Sequence, residues 1–510
     1  MSTTSKMNIY PNSIHTGGLA LNSEGSSSGS KIGSEITCFM AQDASTGGRL
    51  LGVRLPPGGS LAAFSEPHFT RGDDHYFALN AENAALLREV FTYLNPTPLE
   101  PDSSADAAQV PSFGFGDRLG LATPGHIQAL LSVCTPPSIA PIFAQQSVRE
   151  NTRTGRTPQQ VLDEAMWGVF QEGWQLPWGA DADHLKQTSD LPTFVQAGYS
   201  FFTVDPGEYV DPAADTDPPD VLREKIAAQS WGELETHPDL VGSYLSFCAA
   251  AGLECAEHSL HQAVLRAAAK YGRAILHTAK MYRALFALKP GGFDFEVSVD
   301  ETESPTTVLE HFYIASELHR IGVRFTSLAP RLPGRFEKGV DYIGDLTALE
   351  AELVRHIAVM RHIGGYKLSL HSGSDKFSLY PLLVRHAGRA VHVKTAGTSY
   401  LEALRVAARL DPPLFCQVLA LARQRYSQDR QTYHVSAEEQ HLPDPCRLND
   451  STLPDLLDDF HVRQALHVTF GSALAQYSAA LKALLCSHPA AYEQALRSHF
   501  RRHLEPFILR

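Results

Sequence analysis

The chain has 510 residues, of which 43% are hydrophobic and 19% are charged, and its formal net charge is −13. This composition is typical of a globular protein with a sizeable core, and the length allows one large α/β barrel or two to three smaller domains. The acidic balance and the absence of a long Lys/Arg run argue against a nucleic-acid partner. No apolar stretch reaches signal-peptide or membrane-spanning length, so we expect no membrane contact.

The seven cysteines are scattered along the chain, with neither a CxxC pair nor zinc-finger spacing. Cysteines in this pattern are typical of reduced, mostly buried thiols. Together with the missing signal peptide, they predict a cytoplasmic protein.

The N-terminal part of the chain divides into two regions. Residues 1–35 are rich in Ser and Gly and have little apolar content, so we predict a flexible tail there. Residues 36–111 mix short apolar runs with Gly/Pro turns, and AENAALLREVFTYL has helical spacing. We interpret this second region as a cap that precedes the main domain.

A regular alternation of strand-like and helical runs begins at Ser112. Such an alternation favours a parallel sheet, and eight units, each closed by a polar residue, predict a (β/α)₈ TIM-like barrel over residues 112–408. A doubly wound open sheet is the alternative, but the sequence lacks the Gly-rich fingerprint of dinucleotide-binding sheets. The eight runs are SFGFGDRLG, APIFAQQSV, LPWGADADH, YSFFTVDPGE, FDFEVSVDE, VRFTSLAPR, YKLSLHSGS and AVHVKTAGT.

Two helical segments lie outside this alternation. About 80 residues, 211–292, separate the fourth and fifth strands, and their helical periodicity predicts an insertion beside the barrel mouth. Residues 409–510 are also mainly helical, with breaks marked by proline, and we predict a helical C-terminal extension.

Ionisable residues stand at or near the carboxyl ends of several predicted strands. Asp183 and His184 follow one strand, Glu296 lies on another, His371 closes a third and Lys394 ends a fourth. Barrel interiors are usually filled by branched apolar residues, so this polarity indicates an active site. For the DADH stretch alone, a solvated acidic loop is the competing interpretation.

The same residues predict a divalent metal site. His184 and His371 offer imidazole ligands, and Asp183, Glu296 or His311 completes a set that leaves positions open. By default, His311 would be a packing histidine inside a helix, but near the first helical turn it can lean over the barrel mouth. The metal is not identified by these residues, and Zn, Mn, Ni or Co would suit them.

Several polar residues remain for a substrate rich in oxygen. Cationic side chains bind carboxylate and hydroxyl oxygens well, so we expect an anionic substrate. The candidates for binding it are Arg118, Gln145, Asp205, Arg331 and Lys376, with Lys394 as a further cation.

Long motifs along the barrel region resemble bacterial tagaturonate epimerases. The resemblance runs from about Gly114 to Ala408, and the motifs are FGFGDRLGLATPGHI, FAQQSVREN, DADHLK, FTVDPGEYV, VSVDET, RLPGRFEKGVDYIGD, KLSLHSGSDKFSLYP and HVKTAGTSYLEAL. It implies a metal-dependent isomerase that interconverts D-tagaturonate and D-fructuronate, and that can also act on tagatose and fructose.

The resemblance also implies roles for single residues. The DADH motif would supply a catalytic carboxylate, Asp183, and a metal ligand, His184, while motif context adds His371 and His311 as ligands. The inverted carbon lies β to the ketone, so we expect retro-aldol cleavage and re-addition, with the metal stabilising the enediolate. Asp183 would be the base, Glu296 the acid on the opposite face, and Lys394 a cation that balances charge.

Two other functions fit parts of the same pattern. A metal-dependent aldolase acting on a keto-sugar acid would use the same site but release its fragments. A non-catalytic barrel that binds sugar acids would use the insertion and the extension as partner surfaces. In every case the expected ligand is a small keto-sugar or keto-uronate, and the chain can form a homo-oligomer.

Overall fold

Eight parallel strands form a closed barrel at the centre of the computed structural model. Its strands lie in the order of the chain, and the last pairs with the first, Lys394 beside Gly114. The predicted barrel class is therefore confirmed. The structure describes residues 6–19, 34–65, 67–99, 110–229, 241–251, 257–371 and 374–508. The barrel strands are β7 Ser112–Gly116, β8 Ala140–Ser147, β9 Gly179–Leu185, β10 Phe201–Val204, β11 Asp294–Ser298, β12 Ser327–Ala329, β13 Lys367–Leu370 and β14 Val391–Thr395.

Helices surround the barrel and cover the outer faces of its strands. Nearly every residue of the eight strands is buried, as expected when a parallel sheet is covered by helices on its outer side. The helices up to the end of the barrel region are α1 Ala81–Val90, α2 Thr123–Val133, α3 Val148–Thr154, α4 Pro158–Glu172, α5 Leu191–Ala197, α6 Pro219–Ala227, α7 Val241–Ala251, α8 Glu257–Leu288, α9 Val308–Arg320, α10 Leu346–Ile363, α11 Tyr380–Ala387 and α12 Thr398–Leu410.

Two glycines of the first barrel strand allow polar atoms of the neighbouring strands to approach closely. A Cβ atom at Gly114 would lie 2.5 Å from Oε1 of Gln145, and one at Gly116 would lie 2.7 Å from the carbonyl oxygen of Thr395. The SFGFG sequence of β7 thus follows from close packing rather than from a turn.

An antiparallel sheet precedes the barrel. Met7–Ile9 and His15–Leu19 pair with its long third strand, although the sequence predicts a flexible tail there. The reason is a contact with a distant part of the chain: the buried His15 packs against Phe170, while the strand backbone supplies the hydrogen bonds of the sheet. The rest of the tail lies largely outside the described residues. The sheet strands are β1 Met7–Ile9, β2 His15–Leu19, β3 Ser34–Asp43, β4 Arg49–Arg54, β5 Phe69–Arg71 and β6 Asp74–Phe77.

Helices also follow the barrel, and they pack back onto it. Gly125 on α2 is one contact point, because a Cβ atom there would lie 2.6 Å from the Leu496 side chain. In the insertion, Lys270 of α8 is buried and contacts Asp215 and Glu310, which ties the insertion to helix α9. The last four helices are α13 Pro412–Asp429, α14 Phe460–Val468, α15 Phe470–Ser487 and α16 Pro489–Leu504.

One cysteine differs from the prediction of reduced thiols. Cys248 is disulfide-bonded, whereas Cys38, Cys134, Cys416 and Cys486 are free. The prediction of a reduced thiol is therefore wrong at Cys248, because scattered cysteine spacing does not reveal which cysteines meet in the fold. Among the described residues, no helix combines the length and the apolarity that crossing a membrane requires.

Candidate active site

A cavity of about 310 Å³ opens at the carboxyl ends of strands β11 to β13. Its volume lies at the lower end of the range for sites that bind small molecules. Acidic, imidazole and cationic side chains all line it. Its lining includes Asp300, Glu301, Arg331, Lys338, His371 and, from the segment after α13, Tyr433 and His434.

An irregular end of strand β9 brings His184 beside Asp183. The register between β9 and β10 shifts at this point, and His184 adopts a left-handed backbone conformation with φ of 53°. Its Nδ1 donates to Oδ1 of Asp183 at 2.9 Å. A non-glycine residue in this conformation is uncommon and is often found at functional sites.

His371 is fixed by acidic groups of strand β11 and the residues that follow it. Its Nε2 donates to Oε1 of Glu296 at 2.6 Å, and its Nδ1 lies 3.2 Å from Oγ of Ser298. The same Nδ1 is 3.2 Å from Oδ1 of Asp300. Glu296 therefore occupies one ring nitrogen and leaves the other facing Asp300.

His184, Asp300 and His371 have the geometry of a metal site. Their ligand atoms lie within 4.8 Å of one another, and Nε2 of His184 is 3.6 Å from Oδ1 of Asp300. This Nε2 is buried and has no hydrogen-bond partner among the described residues. The other nitrogen of each ring binds a carboxylate, Asp183 or Glu296, as is usual for metal-ligating histidines. These residues fit a divalent cation.

Lys394 links the carboxylates behind the two histidines. Its Nζ lies 2.7 Å from Asp181, 2.7 Å from Asp183 and 2.8 Å from Glu296, and it also bonds the Thr203 hydroxyl. The ammonium is buried in the barrel interior. A buried charge needs such partners, and the three acids come from two different strands that Lys394 holds together.

Asp183 and Glu296 are held in their charged form. Burial alone would raise the pKa of both, but Lys394 brings it well below the ordinary value, together with His184 and His371 at Asp183 and with His371 and His392 at Glu296. Burial lowers the pKa of His371, but Glu296 and Asp300 raise it to about 9. When the imidazoles of His184 and His371 are neutral, the negative charges of the carboxylates exceed the single positive charge of Lys394. This excess of negative charge favours the binding of a cation.

The structure does not bring His311 to this group. His311 lies inside helix α9 and is fully buried, with Nδ1 2.9 Å from Nδ1 of His356 and Nε2 3.0 Å from the Tyr366 hydroxyl. Burial, with His356 adding to it, brings its pKa well below the ordinary value. Its position fits a neutral packing histidine, and Asp300 lies where the third ligand was expected.

Two cations that were predicted to bind substrate already have partners within the protein. Arg118 is buried, lies 3.0 Å from Glu150 and stacks on the Phe470 ring at 3.6 Å. Lys376 is fully buried and donates to the carbonyl oxygens of Glu337, at 2.8 Å, and Val340, at 2.5 Å. Both side chains therefore hold loops together and do not line the cavity.

The remaining predicted residues lie closer to the site. Arg331 lines the cavity. Gln145 is buried on β8 with no hydrogen bond to its Oε1 among the described residues. Asp205 accepts from the backbone N–H of Gly207 at 2.9 Å and also lies near His184.

Asp300, Glu301 and Lys338 were not among the residues predicted for the site. Asp300 was detectable, because it continues the alternation of Glu296 and Ser298 past the end of β11. Glu301 and Lys338 lie in loops, where sequence patterns carry no comparable signal.

A second cluster lies on the loop after β13. Asp375, with φ of 62°, contacts Nε2 of His499 at 2.6 Å and Nη2 of Arg463 at 2.7 Å, and Nε2 of His503 is 3.4 Å away. These atoms also satisfy the distances of a metal site. Because Arg463 already balances the Asp375 charge, we interpret the cluster as an ion-pair network that joins this loop to α14 and α16.

Comparison with known proteins gives a consistent result. Residues 62–507 match the family model described as UxaE, tagaturonate epimerase. The chain is 41% identical over 460 residues to the tagaturonate/fructuronate epimerase of Thermotoga maritima, covering 89% of this chain and 90% of that protein. The native crystal structure of the fructuronate-tagaturonate epimerase UxaE from Cohnella laeviribosi superposes with a TM-score of 0.82 and 31% identity, covering 98% of this chain and 96% of that one. A glycerol complex of the same protein gives the same values.

Proposed function

The chain belongs to the tagaturonate epimerase family and is an isomerase, and we propose that it interconverts D-tagaturonate and D-fructuronate with the help of a divalent cation. The neutral ketoses tagatose and fructose, which differ at the same carbon, are proposed as secondary substrates. The observation that carries this proposal is the convergence of His184, Asp300 and His371 at the carboxyl end of the barrel.

We assign the metal to those three residues. Two imidazole nitrogens and a carboxylate oxygen suit Zn, Mn, Ni or Co, and the set leaves coordination positions for substrate oxygens. When bound, such a cation supplies Lewis acidity towards carbonyl and hydroxyl oxygens. Asp183 and Glu296 orient the two rings, which is the usual role of carboxylates behind ligating histidines.

We propose that the reaction proceeds by cleavage of a carbon–carbon bond. Inversion occurs at the carbon β to the ketone, C4, which enolisation next to the ketone does not reach. A base takes the proton of the C4 hydroxyl, the C3–C4 bond breaks, and its electron pair forms an enediolate while C4 becomes an aldehyde. Rotation of the aldehyde, formation of the bond on its other face and return of a proton give the epimer.

Asp183 is the proposed base. Its Oδ1 accepts hydrogen bonds from His184 and Lys394, at 2.9 and 2.7 Å, while Oδ2 has no partner among the described residues. Lys394 and the His184 imidazole keep its pKa low despite burial, so it is ionised at neutral pH. Oδ2 is therefore an ionised carboxylate oxygen, and we propose it as the acceptor of the hydroxyl proton.

Glu296 receives a different role from the one expected of it. Its side chain has no exposed surface, and its oxygens bind His371, Lys394 and, at 2.5 Å, the Ser327 hydroxyl. It is therefore a positioning residue and not an acid that meets the substrate. Glu301 lines the cavity with a side chain that is 34% exposed, and we propose it for proton transfer on the opposite face.

Incubating the metal-loaded protein with tagaturonate and with tagatose tests this function. We expect the C4 epimer of each substrate as the product, resolved by chromatography. Accumulation of three-carbon fragments would instead assign the protein as an aldolase, and the absence of any product with either substrate would contradict the proposed activity.

A further inference from the structure

The loop after strand β12 carries a group of cations at the edge of the active-site cavity. Arg331, Arg335 and Lys338 all line the cavity that contains Asp300 and His371. The cavity thus contains metal-binding groups and cations together. A keto-uronate has groups that suit both, since its keto and hydroxyl oxygens suit a metal and its carboxylate suits a cation.

Arg331 is the cation of this loop that is available for a ligand. Its backbone is fixed, because its N–H donates to Oγ1 of Thr306 at 3.0 Å and its carbonyl accepts from the N–H of Thr306 at 2.8 Å. Its partly buried guanidinium has no acidic or carbonyl partner among the described residues. A guanidinium in this state matches a carboxylate, which it binds through two parallel hydrogen bonds.

Lys338 adds a second positive charge from the same loop. The buried Lys376 holds the loop on both sides of it through the carbonyls of Glu337 and Val340. Lys338 and Glu301 both line the cavity, and the charge of Lys338, after the larger effect of His184, helps to lower the pKa of Glu301. Glu301 itself is paired with Arg149 at 3.5 Å.

Arg335 differs from the other two cations. Its side chain is 59% exposed, and its guanidinium lies 3.5 Å from the Glu337 carboxylate. An exposed, paired cation contributes little to binding a small anion. It provides a matched control on the same loop.

We propose that Arg331 and Lys338 form a carboxylate subsite that makes the enzyme prefer uronates to neutral ketoses. This inference rests on the proposed function, because it assigns the carboxylate end of the same substrate. Arg331 forms the paired hydrogen bonds, and Lys338 adds a second positive charge at the cavity.

Steady-state kinetics with tagaturonate and tagatose test the subsite in Arg331→Met, Lys338→Met and Arg335→Met. A hydrogen-bonded charge is worth about 10- to 100-fold in binding, so Arg331→Met should lower kcat/KM for tagaturonate by that factor, mainly through KM. Lys338→Met should have a smaller effect of the same kind. For tagatose, all three variants should stay within about threefold of the wild type. If tagatose turns over too slowly, its inhibition constant against tagaturonate replaces the rate.

Arg331→Lys distinguishes the loss of the charge from a folding defect. Because it keeps the positive charge, it should recover part of the loss in kcat/KM for tagaturonate. Equal losses for both substrates in Arg331→Met, or no loss for either, would overturn the subsite while the epimerase activity stands. A wild-type protein inactive on both substrates would instead overturn the proposed function.

Discussion

Oε1 of Glu296 lies 2.6 Å from Nε2 of His371. This contact decides which ring nitrogen is left for a metal, because Nε2 donates to the carboxylate and only Nδ1 faces Asp300. It also raises the affinity of the imidazole for a proton, which a metal has to displace.

Metal binding should therefore depend on pH through His371. Burial lowers its pKa, and Glu296 and Asp300 raise it to about 9, so the metal-free protein carries a proton there below that pH. The apparent metal affinity should rise about tenfold per pH unit for each proton displaced, and the part of the rise that is due to His371 should end near pH 9. Titration against a chelator between pH 6 and 10 measures this. In Glu296→Gln the rise in metal affinity should end at a lower pH. An unchanged pH profile would contradict the assignment of His371 as a metal ligand.

His184→Ala, Asp300→Asn and His371→Ala should each lose metal and activity together. Loss of an outer partner costs about 10–100-fold, so loss of a direct ligand should exceed that range. His311→Ala is the control, because His311 bonds His356 and Tyr366, and it should keep its metal while losing stability. Elemental analysis of the purified variants gives the metal content, and a fully loaded His184→Ala would refute the ligand set.

Lys394→Met should destabilise the fold strongly. It leaves Asp181, Asp183 and Glu296 without their shared ammonium, and breaking a buried ion pair costs about 3–5 kcal/mol. Lys225→Met, which removes a lysine from the more exposed pairs with Asp211 and Asp217, should cost at most about 1 kcal/mol. Urea unfolding followed by circular dichroism compares the two. Similar midpoints would mean that the acids are neutral in the native state.

Asp183→Asn should lower turnover by about 10²–10⁴-fold, the usual contribution of a positioned base. Metal content should fall less than turnover does, because the amide oxygen of the new asparagine still accepts the hydrogen bond from His184. Substrate deuterated at C4 should keep its label in the product, because the retro-aldol route never breaks that C–H bond. Loss of deuterium to solvent would require deprotonation at carbon and a new role for Asp183.

The barrel and its polar strand ends were predictable because they follow from periodicity. Each strand is short, apolar and followed by a helix, so the positions of Asp183, His371 and Lys394 at one end of the barrel follow from the alternation alone. Asp300 could have been predicted as a site residue by the same reasoning, because it continues the alternation that places Glu296 inside the barrel.

The rest of the site depends on contacts that no local pattern reveals. The left-handed conformation of His184 arises where β9 loses register with β10. Arg118 and Lys376 looked free to bind substrate, but Glu150 and two loop carbonyls already occupy them. Such partners come from distant parts of the chain, so their effect appears only in three dimensions.

The Asp375 cluster has a consequence for the synthesis of the protein. All barrel strands are complete once Thr395 has been made, yet Arg463 and His499, which hold Asp375, are made roughly 70 and 100 residues later. Until then, Asp375 is an unbalanced charge a few residues from His371. A nascent barrel on the ribosome should therefore remain inactive, and a chain that stops before Phe460, and so lacks both Arg463 and His499, should stay inactive after release.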